Sequence, residues 1–217
     1  MTIRKHILFD LDGTLTDPAE GITNSVRAAM AAQNFPIPDQ KVLEGFIGPP
    51  LDEIFNEVCG FTGPQIDQAV EDFRAYFSRQ GINENALYPG MDSLLASLRD
   101  AGRVLHVATS KPTDFAEIIL DNFNIAQYFT IVRGSGLTHV GRPKAEVVAE
   151  VLADGGINPA DAVMVGDRRH DVIGARACGL PCVGVLFGYG GRAELEAAQA
   201  DAIADDVAHL GRILAEF

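Results

Sequence analysis

Phe9-Asp10-Leu11-Asp12-Gly13-Thr14-Leu15-Thr16-Asp17 (FDLDGTLTD) is the point at which an apolar run stops on a carboxylate. Ile7 and Leu8 extend the run backwards, so residues 3–9 read as a strand. Gly13 then turns the chain. At a strand end, residues two apart project to the same side, which lets Asp10 and Asp12 converge above a sheet. Two carboxylates about 4 Å apart repel by roughly 4 kcal/mol at an effective dielectric near 20, so the pair needs a positive neighbour. The ordinary use of an Asp-rich turn is to satisfy nearby backbone amides. An EF-hand calcium loop is disfavoured, because Gly13 comes too early and position 21 is glycine rather than glutamate.

Outward from this string, short apolar runs alternate with segments of helical period. Strands are expected at 104–108, 129–132, 162–165 and 182–185, with a short edge near 202–203. Helices are expected at 91–101, 113–123 and 145–153. That alternation predicts an α/β fold, a Rossmann-like doubly wound parallel sheet. One gap breaks it. Between the first strand and the next, residues 22–34, 51–59 and 64–80 read as helices, with breaks at Pro36, Pro38, Gly48-Pro49-Pro50 and Gly60. The expected organisation is therefore a catalytic core of residues 1–16 and 88–217 with an inserted helical cap of residues 17–87. The insertion follows the carboxyl end of the first strand, where open α/β sheets bind ligands.

Three further elements end strands or open helices. After the run at 104 come Thr109 and Ser110, a hydroxyl and exposed amides suited to phosphate oxygens, although either residue could simply cap the next helix. Lys144 opens a helix, where a cation opposes the dipole, and Arg142 stands two residues earlier. The run at 162–165 delivers Gly166 and Asp167, with Asp171 one helical turn on. A parallel sheet would bring all four elements to one edge. An oxygen-only, carboxylate-rich set of Asp10, Asp12, Asp167 and Asp171 points to a hard ion, and Mg²⁺ suits a site that also holds phosphate.

Composition narrows the partners. Of 217 residues, 47% are hydrophobic and 22% charged, which leaves enough apolar side chains for a packed core. The formal net charge of -13, with no basic run, disfavours nucleic acid and obliges any phosphate site to assemble its own positive charge. No apolar stretch reaches the roughly eighteen residues of a membrane span or the pattern of a signal peptide, so the expected compartment is the cytoplasm with no membrane partner. Cys59, Cys178 and Cys182 lack paired metal-ligand spacing and are expected to be buried reduced thiols. Monomer and homodimer both stay open.

Taken together and in this order, FDLDGTLTD, Thr109-Ser110-Lys111-Pro112, Lys144 and Gly166-Asp167-Arg168-Arg169-His170-Asp171 resemble the haloacid dehalogenase superfamily of phosphohydrolases over essentially the whole chain. Residues 46–51 (FIGPPL), Tyr88-Pro89-Gly90 and Gly188-Tyr189-Gly190 are similar to its phosphoglycolate phosphatase and 5′-nucleotidase-like group. The resemblance implies a Mg²⁺-dependent phosphatase acting on a small phosphorylated metabolite, either phosphoglycolate-like or a nucleoside monophosphate, with phosphoglycolate the leading candidate. It implies that Asp10 attacks phosphorus, forming a phospho-aspartate, and that Asp12 protonates the leaving oxygen and later activates water. Asp10, the Asp12 carbonyl and Asp167 would hold the metal, with Asp171 as a further or indirect ligand. Thr109, Ser110 and Lys144 would bind the transferring oxygens, and Arg142 is the alternative to Lys144. Asp12 disfavours dehalogenation, whose halide leaving group needs no acid. A sugar-phosphate mutase is the runner-up, although relatives of that type often carry a cap histidine near Ile22, and a non-hydrolytic phospho-aspartate signalling protein is the alternative outside enzymes. Gly48-Pro49-Pro50 and Arg168 or Arg169 lie where a leaving group could be read, though surface or packing roles are commoner for such residues.

Overall fold

The computed structural model describes residues 3–136 and 142–217. Its first strand, β1 (His6–Phe9), is shorter than the expected 3–9, and Arg4 N instead donates to the Phe217 carbonyl at 2.6 Å. Ile7, Leu8 and Phe9 are all fully buried, as befits a strand covered on both faces. After the Asp10–Gly13 turn the chain forms β2 (Thr16–Asp17), then α1 (Ala19–Ala32), α2 (Gln40–Glu44), α3 (Leu51–Cys59) and α4 (Pro64–Tyr76). It returns through β3 (Ala86–Leu87), which pairs antiparallel with β2 through Thr16↔Leu87 and Asp17↔Ala86. Two-residue strands carry no periodicity, so this pair is not visible in the sequence.

The helix expected at 64–80 is α-helical only to Tyr76 and then widens into a π turn, Phe77–Gly81. A close approach accompanies the change. A side chain at Gly21 of α1 would lie 2.1 Å from the Gly81 carbonyl oxygen, so the two backbones touch there and only glycine fits.

The remaining elements alternate: α5 (Met91–Asp100), β4 (Val104–Pro112), α6 (Thr113–Asn122), β5 (Phe129–Ser135), α7 (Lys144–Gly155), β6 (Ala162–Gly166), α8 (Arg169–Ala177), β7 (Cys182–Val185), α9 (Arg192–Ala197), β8 (Ala202–Ala204) and α10 (Val207–Glu216). The six main strands form one parallel sheet in the order β5-β4-β1-β6-β7-β8. From β1 the chain winds first to β4 and β5 and then back to β6 on the other side, so the switch point lies at β1. β4 runs to Pro112 rather than stopping at 108, pairing Pro112 with Ser135 across an irregular register.

Alternation along the strands divides the core. Ile7, Phe9, Leu105, Val107, Val163 and Val165 pack on one face, with Leu95 of α5, Ile119 of α6 and Leu210 of α10. Leu8, Ala108, Met164 and Cys182 pack on the other, with Val148 of α7, Val172 of α8 and Leu195 of α9. At about 25 cal/mol per Å² of apolar surface, these two faces carry the main drive to fold. All three cysteines are free thiols, but only Cys182 is buried; Cys59 and Cys178 end helices and are half-buried. Among the described residues, no helix is long and apolar enough to cross a membrane.

Candidate active site

Three adjacent strands end on one edge. β1 delivers Asp10, whose amide donates to the Val165 carbonyl of β6 at 2.9 Å and so continues the sheet by one residue. β4 delivers Thr109, and β6 delivers Asp167, while the first residue of α7 is Lys144. The turn after Asp10 is held by Gly13 N donating to the Thr16 carbonyl at 2.8 Å and by Leu15 N donating to the Leu11 carbonyl at 2.9 Å. Gly13 has φ of 82°, and a Cβ there would stand 2.3 Å from Asp167 Oδ2; the glycine is what lets the first turn and the Asp167 carboxylate meet.

Asp10, Asp167 and Asp171 each present a carboxylate oxygen, all within 4.8 Å of one another, and all three are buried. Lys144 lies against two of them. Its ammonium is 2.8 Å from Asp10 Oδ1 and 2.8 Å from Asp171 Oδ1, and it donates to the Ala108 carbonyl at 3.0 Å. Burial alone would depress the Lys144 pKa, but Asp10 and Asp171 more than reverse that and hold it charged above its ordinary range. Arg142 takes a different place. It pairs with Glu146 at 3.2 Å and with Glu150 along α7, and reaches the site only as part of the cavity wall.

The three carboxylates exceed the one lysine by two charges. Burial, with Asp171 and Asp10 beside it, pushes the Asp167 carboxyl well above its usual range, and burial lifts Asp171 to about 6. Asp167 Oδ2 accepts from Tyr189 N at 2.7 Å, whereas its buried Oδ1 has no hydrogen-bond partner. An orphaned buried oxygen among crowded carboxylates is the donor set a hard divalent cation fits. Asp171 is partly committed elsewhere, since its Oδ2 accepts from Arg168 N at 3.0 Å and caps α8.

The Asp12 carboxylate stands apart from that trio. It pairs with Lys111 at 2.8 Å, and burial raises its pKa while Lys111 opposes the rise. Lys111 also sits 4.2 Å from the centre of the Phe77 ring, in the π turn. Asp10, Asp12, Thr109 and Ser110 form the polar floor of a cavity walled by Ile22, Phe46, Pro49, Leu51, Phe73, Phe77 and Phe115.

Residues 7–185 match the family model for haloacid dehalogenase-like hydrolases. The chain belongs to that family. It is 41% identical to a 5′-nucleotidase of Pseudomonas aeruginosa, with 96% of this chain and 95% of that one aligned. It is also 41% identical to the tyrosine-protein kinase PtkA of Mycobacterium tuberculosis over 85% of this chain, which spans 62% of that longer protein. A crystal structure described as a predicted phosphatase from Clostridium acetobutylicum superposes with a TM-score of 0.97 at 41% identity, covering both chains completely. The enzyme class of this haloacid dehalogenase-like hydrolase is that of a phosphatase.

Sequence reasoning missed several members of the site. Lys111 adjoins Thr109 and Ser110, and its place beside two polar residues at a strand end was the available signal. Tyr189, which donates through its amide to Asp167 and through its hydroxyl to Asp17, stands out in the sequence only as part of a glycine-flanked resemblance. Arg168 is one of the two arginines that the sequence places near a leaving group, but nothing local marks its contact with the Ile47 carbonyl, to which its side chain donates.

Proposed function

We propose that this hydrolase is a Mg²⁺-dependent phosphatase that works through a phospho-aspartate on Asp10, with residues 17–87 as a cap over a core of 1–16 and 88–217. The observation that carries the reading is the buried trio Asp10, Asp167 and Asp171 with Lys144 wedged between two of its members. Asp10 and Asp167, with the carbonyl of Asp12, would hold the ion, and Asp171 would steady Lys144 and the α8 turn. The ion supplies Lewis-acid charge stabilisation at the transferring phosphoryl group.

Each step then belongs to a residue of the chain. A carboxylate oxygen of Asp10 forms the new bond to phosphorus as the bond to the leaving oxygen breaks. Asp12 in its protonated form gives its proton to that oxygen, and the leaving group departs as an alcohol. Asp12, now ionised, takes a proton from water, whose oxygen attacks phosphorus; orthophosphate leaves and the Asp10 carboxylate is restored. Thr109, Ser110 and Lys144 orient the phosphoryl oxygens. Lys111 beside Asp12 stabilises the ionised form that the second step needs.

The wall of the cavity bears on the substrate. Phe46, Phe73, Phe77 and Phe115 give the cavity an aromatic lining, which Arg74, Lys111 and Arg142 share. This favours a monophosphate whose leaving group has a sizeable apolar body, and a nucleoside monophosphate meets that description better than phosphoglycolate. The relative named 5′-nucleotidase supports the same choice. Ile22 faces the cavity without a proton to exchange, which supports hydrolysis over the mutase alternative.

The test is a panel of nucleoside 5′-monophosphates, 2-phosphoglycolate and p-nitrophenyl phosphate, with Mg²⁺ and with excess EDTA. Asp10→Asn should lower turnover by at least about 10³-fold with the circular-dichroism spectrum unchanged. Retained activity in that variant, or full activity in EDTA, refutes the mechanism, and preference for 2-phosphoglycolate refutes the substrate class.

A further inference from the structure

Arg168 follows Asp167 in the turn between β6 and α8, yet its side chain leaves the carboxylates for Glu194 and for the stretch that joins α2 to α3. Its Nε donates to Glu194 Oε1 of α9 at 3.0 Å, and the same oxygen accepts from Arg169 N at 2.8 Å. Its Nη1 donates to the carbonyl of Ile47, a residue 121 positions away in the stretch that joins α2 to α3. The stem is gripped as well. At Gly48, with φ of 100°, a Cβ would lie 2.8 Å from Arg168 Cγ, so the 47–48 backbone lies directly on the arginine. The side chain is only 11% exposed. A second contact joins the same two segments more loosely, His170 Nε2 of α8 lying 4.0 Å from Glu53 Oε2 of α3.

The stretch so anchored is the cavity wall itself. Gly48, Pro49, Pro50 and Leu51 face the same space as Asp10 and Thr109. Two successive prolines have no amide to donate, so this wall has few backbone donors of its own with which to fix its distance from the sheet. A guanidinium can do so, because its planar fork reaches two acceptors at once, Glu194 on the core side and the Ile47 carbonyl on the other.

We propose that Arg168 is a positioning and specificity-determining residue: braced by Glu194, it pins the Ile47 carbonyl and so sets how far the 48–51 wall stands from the phosphoryl end of the site. The proposal rests on the phosphatase reading of that site and adds the residue that determines the fit of large leaving groups. A substrate whose leaving group reaches the wall depends on the pin, and one whose leaving group stops short of it does not.

The test compares 1-naphthyl phosphate, with a bulky leaving group, and acetyl phosphate, with a two-carbon one, in wild type, Arg168→Ala, Arg168→Lys and Glu194→Gln. In Arg168→Ala the ratio of kcat/KM for naphthyl phosphate to that for acetyl phosphate should fall tenfold or more, with most of the change in KM. Arg168→Lys should not restore it, because one ammonium cannot span both acceptors, and Glu194→Gln should lower the ratio about threefold. Amide hydrogen exchange at Ile47, Gly48 and Leu51 should quicken tenfold or more in Arg168→Ala. A fall in both substrates by one common factor, an unchanged ratio, or full rescue by lysine overturns the proposal. Should Arg168→Ala fail to fold, Glu194→Gln decides by the same ratio and the same exchange. An inactive wild type, or an Asp10→Asn control as active as wild type, instead rejects the phosphatase reading, and the exchange measurement still tests the pin.

Discussion

A lysine ammonium has three protons to donate, and Lys144 places all of them: on Asp10, on Asp171 and on the Ala108 carbonyl. Arg142, two residues earlier, spends its donors on Glu146 and Glu150 of the helix that follows it, α7. Lys144→Ala should therefore cost about 10³-fold in kcat/KM for p-nitrophenyl phosphate, while Arg142→Ala costs at least tenfold less; the reverse order would reassign the cation. Lys111 poses a sharper case, since both it and Asp12 are nearly sealed from water. Removing one member of a buried ion pair leaves the other uncompensated. Lys111→Met should thus destabilise the fold by about 3 kcal/mol in urea melts and slow turnover at least tenfold, and an unchanged melt would mean that Asp12 finds another partner.

At the scale of elements, Asp10 and Asp167 owe their positions to where a strand stops and Lys144 to where a helix starts, whereas Thr109, Ser110 and Lys111 lie within β4, near its end. Lys144 is buried because α7 begins on it, and the π turn at Phe77–Gly81 brings an aromatic ring over Lys111. β1 and β4 share a different contact at the far end of the sheet, where His6 Nδ1 and His106 Nε2 lie 3.1 Å apart and the rings stack. One nitrogen must donate and the other accept, so the pair disfavours a second proton. Burial, reinforced by His6, lowers His106 to about 4 from its ordinary 6.5. Between those values the unfolded chain binds a proton that the fold does not. Stability therefore rises with pH across that window and is lost as pH falls through it. His106→Leu should remove on the order of 2–3 kcal/mol of the acid-induced loss between pH 6.5 and pH 4.5, read as the difference between urea midpoints; an identical pH slope would refute the assignment.

At the scale of the whole molecule, a chain of formal net charge -13 gathers Asp10, Asp12, Asp167 and Asp171 at one sheet edge, with Lys111 and Lys144 paired directly against them. That arrangement is costly without a cation, since like charges about 4 Å apart repel by roughly 4 kcal/mol at an effective dielectric near 20. A divalent ion should stabilise the protein measurably. Mg²⁺ at about 100 times its dissociation constant is expected to add about 2.7 kcal/mol, seen as a rise in Tm by calorimetry that EDTA reverses. Asp167→Asn should abolish that rise, and an equal shift in the variant would place the ion elsewhere.

The sequence alone determined the parallel α/β plan, the helical insertion after β1 and the carboxylates at strand ends, because an apolar run and the residue that stops it are neighbours in the chain. It also supplied the family, through strings that are contiguous. It could not choose between Arg142 and Lys144, find Lys111 as the partner of Asp12, or see Arg168 reach Ile47. Those pairings join residues as far as 121 positions apart. They exist only once the order β4-β1-β6 sets three strands side by side and the β2-β3 pair closes the stretch of inserted helices. Hydrophobic periodicity fixes which face of an element is buried, whereas the partner of a buried charge is fixed by which distant ends the sheet brings within hydrogen-bonding distance.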